Sequence, residues 1–141
     1  MIVVASSAVI AILFGDPSAP NLVARLAGDP DRLMSVASYL ETGTVLAGRR
    51  RSERLRAIED LDRFLDEAGI RLASVDAQQV RLALRARISY GRGMGHGGAL
   101  NFGDAFSYAL AKAVDAPLLF VGDDFSKTDI TSAREPGLPH P

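Results

Sequence analysis

The sequence predicts an α/β fold, a parallel sheet carrying helices on both faces. Two observations lead there. Four short apolar runs, each the size of one strand, alternate along the chain with helical segments, the order that builds a parallel sheet. The first run, "MIVVA", is β-branched and continuously apolar, which suits a central strand covered on both sides. Size and composition agree. The chain has 141 residues, 48% apolar and 23% charged, ordinary values for a globular protein. A chain of this length buries roughly two thirds of its unfolded surface.

The elements follow in order. After "MIVVA", "SSAVIAILFG" reads as a short helix closed by Gly15 and Pro17. "SAPNLVARLAGDP" is a second, with Ser18 as N-cap and Pro20 in its first turn. "RLMSVA" is a strand running directly into a helix over "SYLETGTVLAGRR", where Ser38 and Glu41 have the spacing of a capping box. "SERLRAIEDLDRFLDEAG" is amphipathic. Leu55, Ile58, Leu61, Phe64 and Leu65 form its apolar face and Gly69 its end. "IRLASV" is the third strand. Asp76, with Gln79 three residues on, caps a helix that reaches about Tyr90. A glycine-rich loop, "GRGMGHGG", leads to Asn101, the cap of a helix over "FGDAFSYALAKAV". "APLLFV" is the fourth strand and ends in "GDD". Residues 1–133 read as one domain, and 134–141 as a Pro-rich tail.

Charge and motifs exclude several classes. The net charge of −1 gives no global basic field, although 14 of the 16 cations are arginine, the better fork for phosphate. There is no cysteine, hence no disulfide, thiolate nucleophile or cysteine zinc site, in keeping with a cytoplasmic location. The apolar run from Ile2 to Phe14 is too short to span a membrane and has no basic residue ahead of it, so neither a membrane anchor nor a signal peptide is expected. Gly93, Gly95 and Gly98 match G-x-G-x-x-G, but after a helix and not a strand, so the dinucleotide reading fails its context. His96 has no partner at ligand spacing, and no G-x-S-x-G, Walker A or H-E-x-x-H is present.

In parallel sheets the chemistry lies beyond the carboxyl ends of the strands. Ala5, Glu41, Asp123 and Asp124 stand there, and Asp104 lies in the first turn of the helix before the last strand. Carboxylates brought together repel unless a cation lies between them, and hard oxygen donors suit Mg²⁺ or Mn²⁺. On a nucleic acid such a site points to phosphodiester hydrolysis. Each acid also has a local reading: Glu41 completing the box with Ser38, Asp104 favouring the helix dipole, Asp123 and Asp124 as turn residues.

Three stretches, "MIVVASSAVIAIL", "SVASYLETGTVL" and "LNFGDAFSYALAKAVDAPLLFVGDDFSKTDI", resemble the PIN-domain ribonucleases, most closely the VapC toxins of bacterial toxin–antitoxin pairs. The resemblance covers nearly the whole chain and is most specific from Leu100 to Ile130. It implies a PIN-like three-layer α/β/α sandwich with a central, mostly parallel sheet. It also implies a Mg²⁺- or Mn²⁺-dependent endoribonuclease acting on RNA, usually a homodimer, silenced by a VapB-type antitoxin. The family's acidic cluster falls on Glu41, Asp104 and the Asp123–Asp124 pair, and its first metal-binding Asp on Ala5. Ser6 matches the small hydroxyl residue after that acid, Ser7 completes the turn, and with Asn101 these would orient the substrate. Arg87 and Arg92, beside the glycine-rich loop, are candidates for RNA phosphates or simply solvated surface charge. Two explanations compete for the alanine at position 5, a natural pseudoenzyme and an introduced Asp-to-Ala change, the latter favoured because the rest of the active-site pattern stands in place; either binds metal and cleaves poorly. A module that binds antitoxin or RNA without cutting, and another metal-dependent phosphatase or nuclease, are the rival expectations.

Overall fold

The computed structural model describes residues 1–133, so the tail expected over 134–141 lies outside the described residues. The element order is β1 (Ile2–Val4), α1 (Ser6–Leu13), α2 (Ala19–Ala27), β2 (Arg32–Ser35), α3 (Val36–Arg49), α4 (Arg54–Glu67), β3 (Ile70–Ala73), α5 (Ala77–Tyr90), α6 (Phe102–Val114) and β4 (Leu118–Leu119). The strands form one sheet in the order β3-β2-β1-β4, and every pairing is parallel. Val3 registers with Leu33 on one side and Leu118 on the other. Beyond β4 the chain returns, and Ser132 bridges Leu118 in parallel. Among the described residues no helix is long and apolar enough to cross a membrane.

The pleat sorts the core into two layers. Ile2, Val4, Met34 and Leu119 pack with Val9, Leu22, Leu46 and Leu61 of α1 to α4. Val3, Ala5, Leu33 and Leu118 pack with Ala83 and Ala86 of α5 and Ala105 and Tyr108 of α6. Ile2, Val3 and Val4 are all fully buried, the reason this strand is apolar on both faces. Three layers result, as the sequence led us to expect.

Three local expectations are corrected. Ser18 stands at the N-cap position of α2 as expected, but with helical backbone angles (φ −76°, ψ −12°) and no side-chain cap; its hydroxyl donates instead to Asp16 Oδ2 at 2.5 Å. Leu55 is 80% exposed, and the buried face of α4 begins at Ala57. The cap of α3 is Ser35, whose Oγ accepts from the Ala37 N–H, so Ser38 lies inside the helix and Glu41 has no capping partner there. The strand passes into this helix without a loop, and the extended backbone that a cap needs falls on the last strand residue.

Stability follows from this sorting. Leu61→Ala should destabilise the protein by about 2–5 kcal/mol in urea denaturation, as a fully buried leucine does. Leu55→Ala should change it by no more than about 0.5 kcal/mol, since solvent already surrounds that side chain.

Candidate active site

From β1 the chain builds outward through β2 to β3, then crosses to the other side of β1 with β4. The strand order therefore reverses between β1 and β4, and the crevice outside the carboxyl ends at such a reversal is where open α/β sheets bind ligands. Ala5 closes β1 at this point. Its N–H donates to the Leu119 carbonyl at 2.9 Å, and its own carbonyl accepts from Ala8 and Val9. It is the N-cap of α1, with extended angles (φ −81°, ψ 159°), and makes no side-chain cap. The position favours Asp, Asn or Ser, but a buried methyl stands there.

Three carboxyls meet near the start of α6. Asp104 and its cap Asn101 form a reciprocal box: Asp104 N–H donates to Asn101 Oδ1 at 2.8 Å, and Asn101 N–H donates to Asp104 Oδ2 at 3.1 Å. The Asp104 carboxyl also shares a hydrogen bond with that of Asp124. Burial first, then Asp124 and the charge of Glu41, push Asp104 up to about 7, against the downward pull of the Asn101 N–H. The half-buried Glu41 carboxylate lies against the backbone of Gly103, where an added Cβ would collide with Glu41 Oε2. Gly103 was not singled out from sequence; a glycine inside the first turn of a helix, where no turn needs it, was the available signal. Asp123 is exposed, and its carbonyl accepts from the Ser126 N–H and hydroxyl. Of the two adjacent acids, Asp124 is the one joined to Asp104.

Buried hydroxyls fix the helices beneath these acids. Ser6 Oγ donates to the Ser38 carbonyl at 3.1 Å, and Ser38 Oγ shares a 2.9 Å hydrogen bond with Ser107 Oγ. Ser38 stands one turn before Glu41 and Ser107 one turn after Asp104, so α1, α3 and α6 are tied where the acids emerge. Ser7 Oγ accepts from the Val121 N–H at 3.0 Å, joining the start of α1 to the end of β4. Ser6, Ser7 and Asn101 thus bond to the protein itself. After Asp124 the loop is anchored by Phe125, buried against Phe120 at 4.9 Å, and by Asp129. Asp129 accepts from the Tyr108 hydroxyl at 2.5 Å and from Lys112 Nζ at 2.9 Å, and both hold it below the usual carboxylate range. Arg87 donates to the Leu100 carbonyl, so it braces the glycine-rich loop, whereas Arg92 is exposed.

The donors are all hard oxygens, and Asp104, raised by burial first and then by its acidic neighbours, lacks a nearby cation to offset either, so their chemistry fits Mg²⁺ or Mn²⁺. Among the described residues no three acids or histidines already stand in a cation-holding arrangement. Position 5 offers a methyl at the strand end, and Asp104 is engaged by Asn101 and Asp124.

The PIN domain profile matches residues 2–130. The chain is 44% identical over 131 residues to ribonuclease VapC42 of Mycobacterium tuberculosis, covering 93% of this chain and 98% of that protein. It is 44% identical over 132 residues to ribonuclease VapC of Mycolicibacterium smegmatis, covering 94% and 99%. In fold it is similar to Mycobacterium tuberculosis VapC20, described as a Sarcin-Ricin loop cleaving toxin (TM-score 0.71, 21% identity, 96% of this chain and 100% of that one). A toxin–antitoxin complex from Klebsiella pneumoniae is also similar (TM-score 0.68, 16% identity, 96% and 99%).

The raised Asp104 sets a pH dependence. Its protonated form contributes stability that is complete below about 3.8 and is lost as pH rises through about 7. After allowance for the solvent reaching a half-buried carboxyl, the loss is about 1–2 kcal/mol. The lowered acids Asp16, Asp29, Asp60 and Asp129 titrate below this window. Urea midpoints should therefore decrease as pH is raised from 5 to 8, and Asp104→Asn should flatten that slope. Gly103→Ala should turn the Glu41 side chain away and lower the Asp104 titration midpoint in carboxyl NMR, with overall stability changed by no more than about 1 kcal/mol.

Proposed function

The chain belongs to the PIN-domain family, among its VapC ribonucleases, and on that footing we propose that it is the toxin endoribonuclease of a type II toxin–antitoxin pair, hydrolysing RNA phosphodiester bonds, in a form lacking one acid at position 5. The observation that carries this reading is the Asp104–Asp124 carboxyl contact beside Glu41, at the crevice where the strand order reverses.

Glu41, Asp104 and Asp124 would hold Mg²⁺ or Mn²⁺. When bound, the cation supplies Lewis acidity at a phosphate oxygen and an acidified water. The protein supplies the rest. Asn101 fixes the rotamer of Asp104 through the capping box. Asp104 must release its proton before it serves as an anionic ligand, so loading the site releases a proton. Ser6 and Ser7 hold the end of β1 against α3 and β4, and act here as positioning residues. Asp123, at the rim, has no such role. With Ala5 the set lacks a charged oxygen, so cation binding and cleavage are weak.

A VapB-type antitoxin is the partner. A groove of about 430 Å³ beside α1, lined by Ile10, Phe14 and Val121 with Ser7, Arg49 and Asp16, offers it an apolar floor with one cation and one anion among its lining residues. The Arg49 guanidinium lies over the Phe14 ring, 4.5 Å from its centroid. Both partner and substrate would be met in the cytoplasm. The rival reading, a module that binds without cutting, is favoured by Ala5 alone.

Ala5→Asp separates the two. It should raise Mg²⁺-dependent cleavage of RNA by on the order of 100-fold or more, measured on total RNA and stopped by antitoxin. The new carboxylate gains a helix cap of about 0.5–2 kcal/mol but joins a repulsive cluster, so the melting temperature without cation should change little. Added Mg²⁺ should raise it for the Ala5→Asp variant and not for the parent chain. A variant that stays inert with every divalent cation while still binding RNA would establish the module.

A further inference from the structure

Between Ala77 and Gly103 the chain holds no Asp or Glu, yet it holds Arg81, Arg85, Arg87 and Arg92. Elsewhere among the described residues, outside the α3–α4 turn that carries Arg51 and Arg54, arginines are partnered. Arg50 and Arg63 bond Asp60, Arg71 bonds Asp31, and Arg25 and Arg32 bond backbone carbonyls. Arg81, Arg85 and Arg92 are exposed, and among the described residues their guanidiniums bond nothing. Arg81 and Arg85 are four apart on α5, a like-charge spacing that opposes the helix. An ordinary solvated face intersperses both signs, as α4 does.

The placement of these three is informative. Leu100 N–H donates to the Tyr90 carbonyl at 3.1 Å and Arg92 N–H to the Leu100 carbonyl at 2.9 Å. The end of α5 is thereby fastened beside Asn101, the cap of the helix that carries Asp104. Arg92 stands at the acid end, and Arg85 and Arg81 recede along α5, about 6 Å apart along the helix axis. Lys127 adds a cation at the same end, its Nζ on the Gly97 carbonyl at 3.1 Å. Arg87 is excluded from this row by its bond to Leu100.

We propose that Arg92, Arg85 and Arg81 form a phosphate track that leads an RNA strand along α5 to the acids. The proposal rests on the ribonuclease reading and goes beyond it in naming the path. A site made of carboxylates repels a polyanion, so its approach requires cations outside the site, and arginine forks meet phosphate oxygens well. Val80, Leu84 and Ile88 are exposed beside the row, which raises a protein contact as the competitor. A second copy docking helix to helix would set these arginines against their own kind, and this favours the RNA.

The test uses the Ala5 chain as it stands, with a short fluorescently labelled single-stranded RNA, and reads affinity against salt. Replacing Arg81, Arg85 and Arg92 together by alanine should weaken binding at least 10-fold at about 0.1 M salt. It should also flatten the log–log salt slope by about 2, the value for three phosphates on a single strand. Arg51→Ala with Arg54→Ala removes two other exposed, unbonded arginines from the α3–α4 turn and should leave affinity and slope unchanged. Parent-like binding by the triple variant overturns the track and leaves the ribonuclease reading standing. Absence of RNA binding by the parent overturns both. A triple variant that binds RNA normally but changes its sedimentation from dimer to monomer assigns the face to protein contact, and again overturns the track.

Discussion

Repulsion among Glu41, Asp104 and Asp124 is the constraint that the surrounding structure answers. Left to themselves, three carboxylates on separate helices and loops would splay toward water. Here they are held by neighbours that cannot follow them out. Ser6, Ser38 and Ser107 bond through buried hydroxyls and carbonyls, tying three helices at the level of the acids. Asn101 grips Asp104 from the helix start, and Phe125 and Asp129 anchor the loop that follows Asp124. Burial of Asp104, and then the acids beside it, raise its carboxyl to about 7, so it keeps a proton near neutrality. Buried polar bonds and a shifted acid are thus two responses to the same charge.

How much of this was legible depended on the range of the interaction concerned. Strand β1 was readable because burial on both faces demands an unbroken apolar run. The caps Asp76 and Asn101 were readable because a cap acts within three residues. The Ser38–Glu41 box failed for a local reason: Ser35, at the strand end, had the extended backbone that capping requires. Leu55 failed because helical periodicity shows which residues share a stripe, not how far the neighbouring layer extends over it. The choice between Asp123 and Asp124 was beyond reach, since it turns on the path of one loop after β4. Gly103 and the Ser38–Ser107 bond were hidden for a deeper reason. Both depend on α3 meeting α6, elements separated by more than fifty residues.

Position 5 shows how a fold can be set by the backbone of a residue and not by its side chain. The backbone of Ala5 bonds to Leu119 and to the first turn of α1, and neither bond uses the side chain. The methyl is sheltered among the residues packed on α6, so the core accepts it. Fold and site are therefore separable at this residue, whereas at Asp104 they are joined, because the same carboxyl caps a helix and contacts Asp124.

The pairing of the first strand with the last has a consequence for synthesis. Val3 meets Leu118 more than a hundred residues later, and Asp124 follows only after that strand is made. A growing chain can close β1 on β2, and β2 on β3, before β4 is available. The crevice beside β1 forms only when β4 emerges, as one of the last contacts and one of high sequence separation, which is slow to close. Glu41 and Asp104 are exposed to the cell for that interval without the loop that joins them. A chain cut before β4 then has no assembled site, and whatever the site does requires that strand.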